Sequence, residues 1–480
     1  MFIFVAHFWI TQTIKYQKTV QMKIKPFIII GILGLTFLSI DLVAQELWPL
    51  EKCINYAFEN NLTVKQSQLN VLSSEDTYKQ SKLNLIPSLN SSFGQNFGWG
   101  RSPDPQTNIY NNKQTQQSFF SINSEVTLFN GLQQINNIRQ KQFDYLAKKY
   151  DSDKIRDDIS LNIAAGYLSI LFNIELANNA QRQVDISKEQ VERTKKQVDA
   201  GAVARGSLYD IQAQEANDET NLVTAKNNLM LAYIDLKQML DIPADAKFDI
   251  EKPDLQIIAV PTLLPPKMIY DKSVTIMPQI KSAEYKVQST ERSLAVAKGM
   301  YSPRLFATGS YGTSYSNQIV DDPFEPGSPT KAFDKQLGDN RNGALYLGLS
   351  IPIFNGYQVS TNLKNAKIQN EAANISLQQE KLNLRKSIET AYADAVAAYQ
   401  TYVARKKSVE SYQESFNYTE EKFNVGMVNS TDYNVSKTQL SNAESDLASS
   451  KYDYIFKVTI LDFYLGKSLT LHDIAGVKSE

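Results

Sequence analysis

The sequence predicts an α+β membrane protein built as a tandem repeat, with four transmembrane β-strands per chain continued by a long α-helical barrel. Three observations predict it. One unit occurs twice, each copy carries two runs in which apolar and polar residues alternate, and each carries an exceptionally long helical stretch.

Composition sets the bounds. The 480 residues hold 50 Lys+Arg against 51 Asp+Glu, with two His and one Cys. A net charge of -1 creates no field that would attract a polyanion, so no nucleic-acid partner is expected. The 42% hydrophobic share is low for a polytopic helical membrane protein and high for a disordered chain. Cys53 alone can build neither a disulfide framework nor a cysteine-based zinc site, and it reads as a small buried hydrophobe. His7 and His472 lie at opposite ends of the chain. No phosphate loop, nucleophile motif or His-carboxylate cluster is visible, so no catalytic residue, metal or cofactor is expected.

Residues 1–44 read as an export leader. Met22-Lys23-Ile24-Lys25 is a short basic segment, Phe27 to Ile40 is an uncharged apolar run, and Leu42-Val43-Ala44 places a small residue where signal peptidase cuts. The run is shorter than the roughly 20 residues of a spanning helix, which favours a cleaved signal over an uncleaved anchor. Residues 1–21 precede this pattern, so Met22 is the alternative start.

The mature chain is a duplication, with 45–260 as the first copy and 261–480 as the second. Asn61 to Leu89 aligns without gaps on Met277 to Leu305, an offset of 216. Leu128-Phe129-Asn130-Gly131 returns as Ile353-Phe354-Asn355-Gly356, and Gly201 as Gly426, at an offset of 225. The second copy thus gains nine residues after its Pro303, and a longer loop is expected there.

Within a copy the elements follow from periodicity. Leu50 to Leu83 places Ile54, Phe58, Leu62, Leu69 and Leu72 at helical spacing, and Pro87 ends that helix. The period then becomes two. From Leu89 to Trp99, Leu89, Phe93, Phe97 and Trp99 share a face opposite Asn90, Ser92, Gly94, Asn96 and Gly98. Phe120, Ile122, Val126 and Leu128 alternate with Ser121, Asn123, Glu125 and Thr127. In the second copy Leu305 to Tyr315 alternates likewise, and Leu345, Leu347, Leu349, Ile351 and Ile353 stand opposite Ala344, Tyr346, Gly348 and Ser350.

Such strands suit a transmembrane barrel with lipid outside and water inside. A soluble antiparallel sheet over a core would alternate in the same way. The export leader and the lack of a spanning helix after it favour the barrel. Four strands cannot close, and an open edge in lipid leaves backbone groups unpaired at several kcal/mol each. The chain is therefore expected to oligomerise, two copies giving eight strands and three giving twelve. Arg101 to Gln117 and Ser316 to Asn342, rich in Asn, Asp, Gly, Pro and Ser, are the expected external loops.

Asn130 to Asp199 and Asn355 to Asn424 lack proline and hold almost no glycine, so each reads as one helix of about 70 residues. At 1.5 Å per residue that is about 100 Å. Gly201 and Gly426 supply the left-handed residue of a helix end. Return helices follow over Ser207 to Leu240 and Thr431 to Leu465, with Ser207 and Thr431 as expected caps. Small residues beside aromatics, Ala164 to Tyr167 and Ala391 to Tyr402, read as close helix packing rather than a ligand box. Helices of this kind fit a hollow tube or a solid coiled coil, and their attachment to barrel strands favours the tube.

The order of these features in two copies resembles the TolC family of outer-membrane efflux proteins: the helix, Ile86-Pro87-Ser88-Leu89 or Ser302-Pro303-Arg304-Leu305, Phe-Asn-Gly, the tip glycines, Tyr209 to Gln214 and the closing Tyr454 to Gly466. The resemblance implies a homotrimer with a twelve-stranded barrel in the outer membrane of a Gram-negative bacterium and a helical tunnel through the periplasm. It implies docking of the tips, Gly201, Ala202 and Val203 with Gly426, Met427 and Val428, to a periplasmic adaptor protein and an inner-membrane transporter of RND or ABC type. It also implies a passive exit duct of a tripartite efflux or type I secretion system, exporting small molecules or proteins.

In the family's best-known member, aspartates after the second tip ring the closed entrance, and a tyrosine and an arginine bond the neighbouring hairpin. Here Asp432 holds the first aspartate position, Val435 the second, Val428 the arginine position and Phe423 the tyrosine position. In the first copy Ser207 holds the partner aspartate position, with Asp210 nearby. The resemblance therefore implies closure through apolar contacts around Phe423, Val428 and Val435. Asp432 reads either as a cation-attracting ring in the oligomer or as an ordinary charge in the first turn of a helix. A periplasmic adaptor or another coiled-coil scaffold of an envelope transport complex is the alternative reading of the whole chain.

Overall fold

The computed structural model describes residues 47–104, 106–243, 245–253, 255–257, 263–325, 327–469 and 477–479. The leader, its cleavage point, the alternative start and both histidines lie outside the described residues.

After the two-residue strand β1 (Leu47–Trp48), two helices form where one was expected, α1 (Leu50–Asn60) and α2 (Leu62–Leu83). The break falls at Asn61, whose backbone leaves helical space and whose Oδ1 accepts from the amides of Thr63 and Val64. A side chain that caps the next helix cannot also continue the last one. Next come β2 (Asn90–Gly98), a small hairpin of β3 (Arg101–Pro103) and β4 (Tyr110–Asn112), then β5 (Thr115–Phe129), α3 (Gln133–Asp199) and α4 (Arg205–Leu240). Short strand β6 (Asp249–Ile250) pairs with β1, and β7 (Leu255–Ile257) follows.

The second copy repeats the plan. It comprises α5 (Pro266–Ile276), α6 (Pro278–Gly299), β8 (Arg304–Ser316), the short α7 (Phe333–Asp339) in the longer loop, β9 (Asn342–Ser350), α8 (Gln358–Asn424) and α9 (Ser430–Tyr464). A last strand, β10 (Val477–Ser479), pairs with β7. Helices α5 and α6 begin and end 216 positions after α1 and α2, and α8 lies 225 after α3. Pro278 at the first position of α6 interrupts the second pair as Asn61 interrupts the first, because it has no amide to give the preceding helix.

The four long strands form one antiparallel sheet in the order β2-β5-β8-β9. Register places Phe93 beside Phe120, Ile122 beside Tyr311, and Val126, Ala307 and Leu347 in one row, so the apolar faces coincide. That face is open, with Leu345 80% exposed. The opposite face is mostly Ser and Asn, but Phe119 and Phe306 also lie on it, over Gly94 and Gly348. A Cβ at either glycine would run into the ring, so each glycine makes room for an aromatic neighbour. Strand β9 stops at Ser350, short of the alternation to Ile353, since Pro352 cannot donate to a ladder. The outer edges of β2 and β9 have no partner strand among the described residues.

Below the sheet the helices form a row. In its upper half α3 packs on α2 and on α6, and α6 on α8; in its lower half α4 packs on α3, α3 on α9, and α9 on α8. The outer members therefore are α2 or α4 on one side and α8 on the other. Two equivalent cores lie at the middle. One joins Leu50, Cys53, Tyr167, Ile170, Leu236 and Tyr454, and the other Ile269, Ile280, Leu384, Ile388, Ala395 and Leu461. Tyr167 is fully buried and its hydroxyl donates to the carbonyl of Glu251 at 2.7 Å, a packing role. Burial pushes the Cys53 thiol up to about 12, so it stays protonated and unreactive. Helix α3 contains a stretch long and apolar enough to cross a membrane by length and composition. Its buried apolar residues, Ile163, Ala164, Leu168 and Leu171, instead pack into the first of these cores.

The long helices start three residues later than expected, after a turn in which Gly131 and Leu132, like Gly356 and Tyr357, are left-handed. Alanine at either glycine costs about 1–2 kcal/mol in backbone strain. At Gly131 the new Cβ would also stand 2.5 Å from Ser302 Cβ and 2.6 Å from the Gly299 carbonyl oxygen, whereas at Gly356 it meets nothing within 4 Å. Gly131→Ala is thus expected to lower Tm more than Gly356→Ala. Thermal unfolding in detergent checks the order, and equal losses would show that the Gly131 contact yields freely.

Candidate duct entrance and docking tips

Both hairpins turn by the same device. The Ala202 amide donates to the Gln197 carbonyl at 2.8 Å and Gly201 to Val198 at 2.9 Å; Met427 donates to Lys422 at 2.8 Å and Gly426 to Phe423 at 3.0 Å. These paired bonds close a helix end only when the glycine is left-handed, and φ is 70° at Gly201 and 77° at Gly426. The expected caps are corrected. Helix α4 starts after Ala204 with no side-chain cap, and α9 is capped by Asn429, whose Oδ1 accepts from the Asp432 amide at 2.9 Å. Ser207 and Thr431 fall inside the first turns, too far along to reach the leading amides. Ala202, Val425 and Met427 are exposed at the tips and Val203 is half-buried.

The six entrance candidates divide into two groups. Phe423 stacks on Tyr433 with ring centroids 4.8 Å apart, inside a buried cluster with Ile211, Phe416 and Leu440, and Val428 packs against it. Val435 is exposed and outside that cluster, and Asp432 is exposed. Ser207 is half-buried, while exposed Asp210 accepts a 2.9 Å hydrogen bond from the Ser430 hydroxyl, tying the first hairpin to the second.

Two turns above lies a group the sequence reading missed. Lys437 of α9 donates to Asp218 of α4 at 2.6 Å, to the Ser187 hydroxyl of α3 at 2.5 Å and to the Gln183 carbonyl at 3.1 Å. The side chains of Lys437 and Asp218 are only 4% and 7% exposed. Gln214 holds the second Asp218 oxygen at 2.8 Å. Burial pulls the Lys437 ammonium below the usual lysine range, opposed by its bond to Asp218. Burial also raises Tyr433 and Glu444 on the same helix. The signal was spacing: Lys437 sits four residues after Tyr433 and three before Leu440, and Asp218 seven after Ile211, on the faces that bury those residues. Among the described residues, no group of three or more His, Cys, Asp or Glu could hold a metal ion.

A sheet with an open apolar face, and with two edges that carry no partner strand among the described residues, stands on a long helical column that ends in matched turns; this is the architecture of a membrane channel protein. The chain belongs to the outer membrane efflux protein family, whose model matches residues 53–241 and 270–467, and it is an outer-membrane protein. It is 25% identical to outer membrane protein TolC of Escherichia coli (strain K12), over 66% of this chain and 62% of that protein. It is 22% identical to the solvent efflux pump outer membrane protein SrpC of Pseudomonas putida, over 85% of this chain and 82% of that one. The match thus spans less than two thirds of the first of these relatives and most of the second. Among solved structures, CusC superposes with a TM-score of 0.72 at 16% identity, covering 88% of this chain and 92% of that chain. The outer membrane protein VceC of Vibrio cholerae gives 0.70 at 15% identity, covering 88% and 96%. At these identities the structural likeness establishes the fold.

Proposed function

We propose that three copies close into one duct, a twelve-stranded barrel in the outer membrane continued by a helical tube through the periplasm, and that it passively exports solutes delivered by an adaptor and an inner-membrane transporter of RND or ABC type. The single observation that carries this reading is the pair of sheet edges on β2 and β9 that have no partner strand among the described residues, placed above outer helices packed on one side only. The edges run in opposite directions, so β9 of one copy can continue antiparallel onto β2 of the next. The outer helices carry exposed apolar residues spaced by sevens, Ile368, Ile375 and Leu382 on α8, with Leu62 and Leu69 on α2 and Val223 and Met230 on α4. That spacing is the signature of a helix seam awaiting a partner.

In this reading residues 1–44 are a leader removed on export, and 45–260 and 261–480 are the two repeats. The exposed tips around Gly201, Ala202, Val203, Gly426, Met427 and Val428 dock the adaptor. Asp432 and Asp210 stand at the entrance rim, whereas Phe423 and Val428 brace each protomer internally. Relatives named as components of solvent and toluene efflux pumps support small-molecule cargo. Cell fractionation with unheated SDS gels tests the reading: a heat-sensitive trimer in the outer membrane is expected, and an inner-membrane or soluble monomer overturns it. Asp432→Ala is further expected to weaken divalent-cation block of single-channel current in lipid bilayers, and unchanged block would dispose of the aspartate ring.

A further inference from the structure

The four long strands hold two charged side chains between them. Strands β2 and β9 have none, β5 has Glu125 and β8 has Arg304. The surrounding sequence extends this silence, with no charged residue from Asn84 to Gly100 or from Asn342 to Leu363. The two charges share the polar face of the sheet with Ser121, Asn123, Thr308 and Ser310. Arg304 Nη2 donates to Glu125 Oε1 at 2.6 Å and to Thr127 Oγ1 at 3.3 Å, and its guanidinium lies 5.1 Å from the centre of the Phe306 ring. Both side chains are 50% exposed.

An ion pair this exposed contributes little to stability. Its effect on the field is larger, because a ring of unpaired charges on the wall of a pore imposes its sign on passing ions. Here each protomer cancels its own charge. Resting on the duct reading, we infer that the Glu125–Arg304 pair is the charge-setting element of the barrel: it keeps the strand-lined lumen electrically neutral, so that this segment passes cationic, anionic and neutral solutes alike. Discrimination by sign is then left to the helical entrance.

The test is the reversal potential of the full-length protein in planar bilayers under a potassium chloride gradient. Arg304→Gln leaves three unpaired carboxylates and shifts selectivity toward cations; Glu125→Gln leaves three guanidinium groups and shifts it toward anions. The exchange Glu125→Arg with Arg304→Glu restores the wild-type value. Should a single variant fail to insert, Glu125→Cys with Arg304→Gln starts neutral, and anionic or cationic thiol reagents added after insertion must move the potential in opposite directions. Cys53 is fully buried and does not compete for the reagent. Conducting channels whose reversal potential stays constant through all these changes overturn the inference. Absence of conductance in the wild type removes the duct reading beneath it.

Discussion

Lys437→Ala is expected to destabilise the folded protomer by about 3–5 kcal/mol, the range found when one partner of a buried ion pair is removed. The loss comes from what stays behind. Asp218 would keep its carboxylate 7% exposed with its bonds from Ser187 and Gln214 but without a counter-charge. The three bonds made by Lys437 also hold α9 to both helices of the first hairpin, so the variant loosens the joint between the two copies near the tips. Replacing both partners by apolar residues of similar size, Lys437→Met with Asp218→Leu, should recover most of the loss, since no charge is then buried. Thermal and urea unfolding followed by circular dichroism in detergent measure both. If Lys437→Ala alone melts as the wild type does, the pair is not closed off from water in the assembled protein.

Ile375→Asp together with Leu69→Asp is expected to abolish the heat-sensitive trimer while leaving each protomer folded. Both side chains are exposed in the protomer, 57% and 59%, so changes there cost the isolated chain about 0.5 kcal/mol or less. In a closed ring they would face the neighbouring copy, and the two unpaired, mutually repelling carboxylates then buried at each of three seams cost several kcal/mol apiece. Ile375→Leu, which keeps the apolar volume, should preserve the trimer. Unheated gels read the assembly, and circular dichroism reads the fold. A trimer that survives the double aspartate variant would move the seam away from α2 and α8.

Much of this architecture is written in local patterns, which is why it is legible residue by residue. The period of two places Phe120 and Leu347 on the open face, and the offsets of 216 and 225 relate the helices of the two copies, α6 to α2 and α8 to α3. Tip glycines announce themselves because only a left-handed residue completes their hydrogen bonds. What escaped depends on partners distant in the chain. Asn61 divides α1 from α2 with a cap that competes with helix continuation, a choice no periodicity reveals. Asp218 and Lys437 are separated by 219 positions, and each alone looks like a solvated charge on a mixed helix. Phe423 and Val435 both read as apolar rim residues, yet only Phe423 finds Tyr433 to stack upon.

Native mass spectrometry of the detergent-extracted protein counts the chains that close one duct. Three mature chains in a single complex are predicted, the number that makes the proposed twelve-stranded barrel and joins each β9 to a neighbouring β2. A complex of one or two chains would contradict the account.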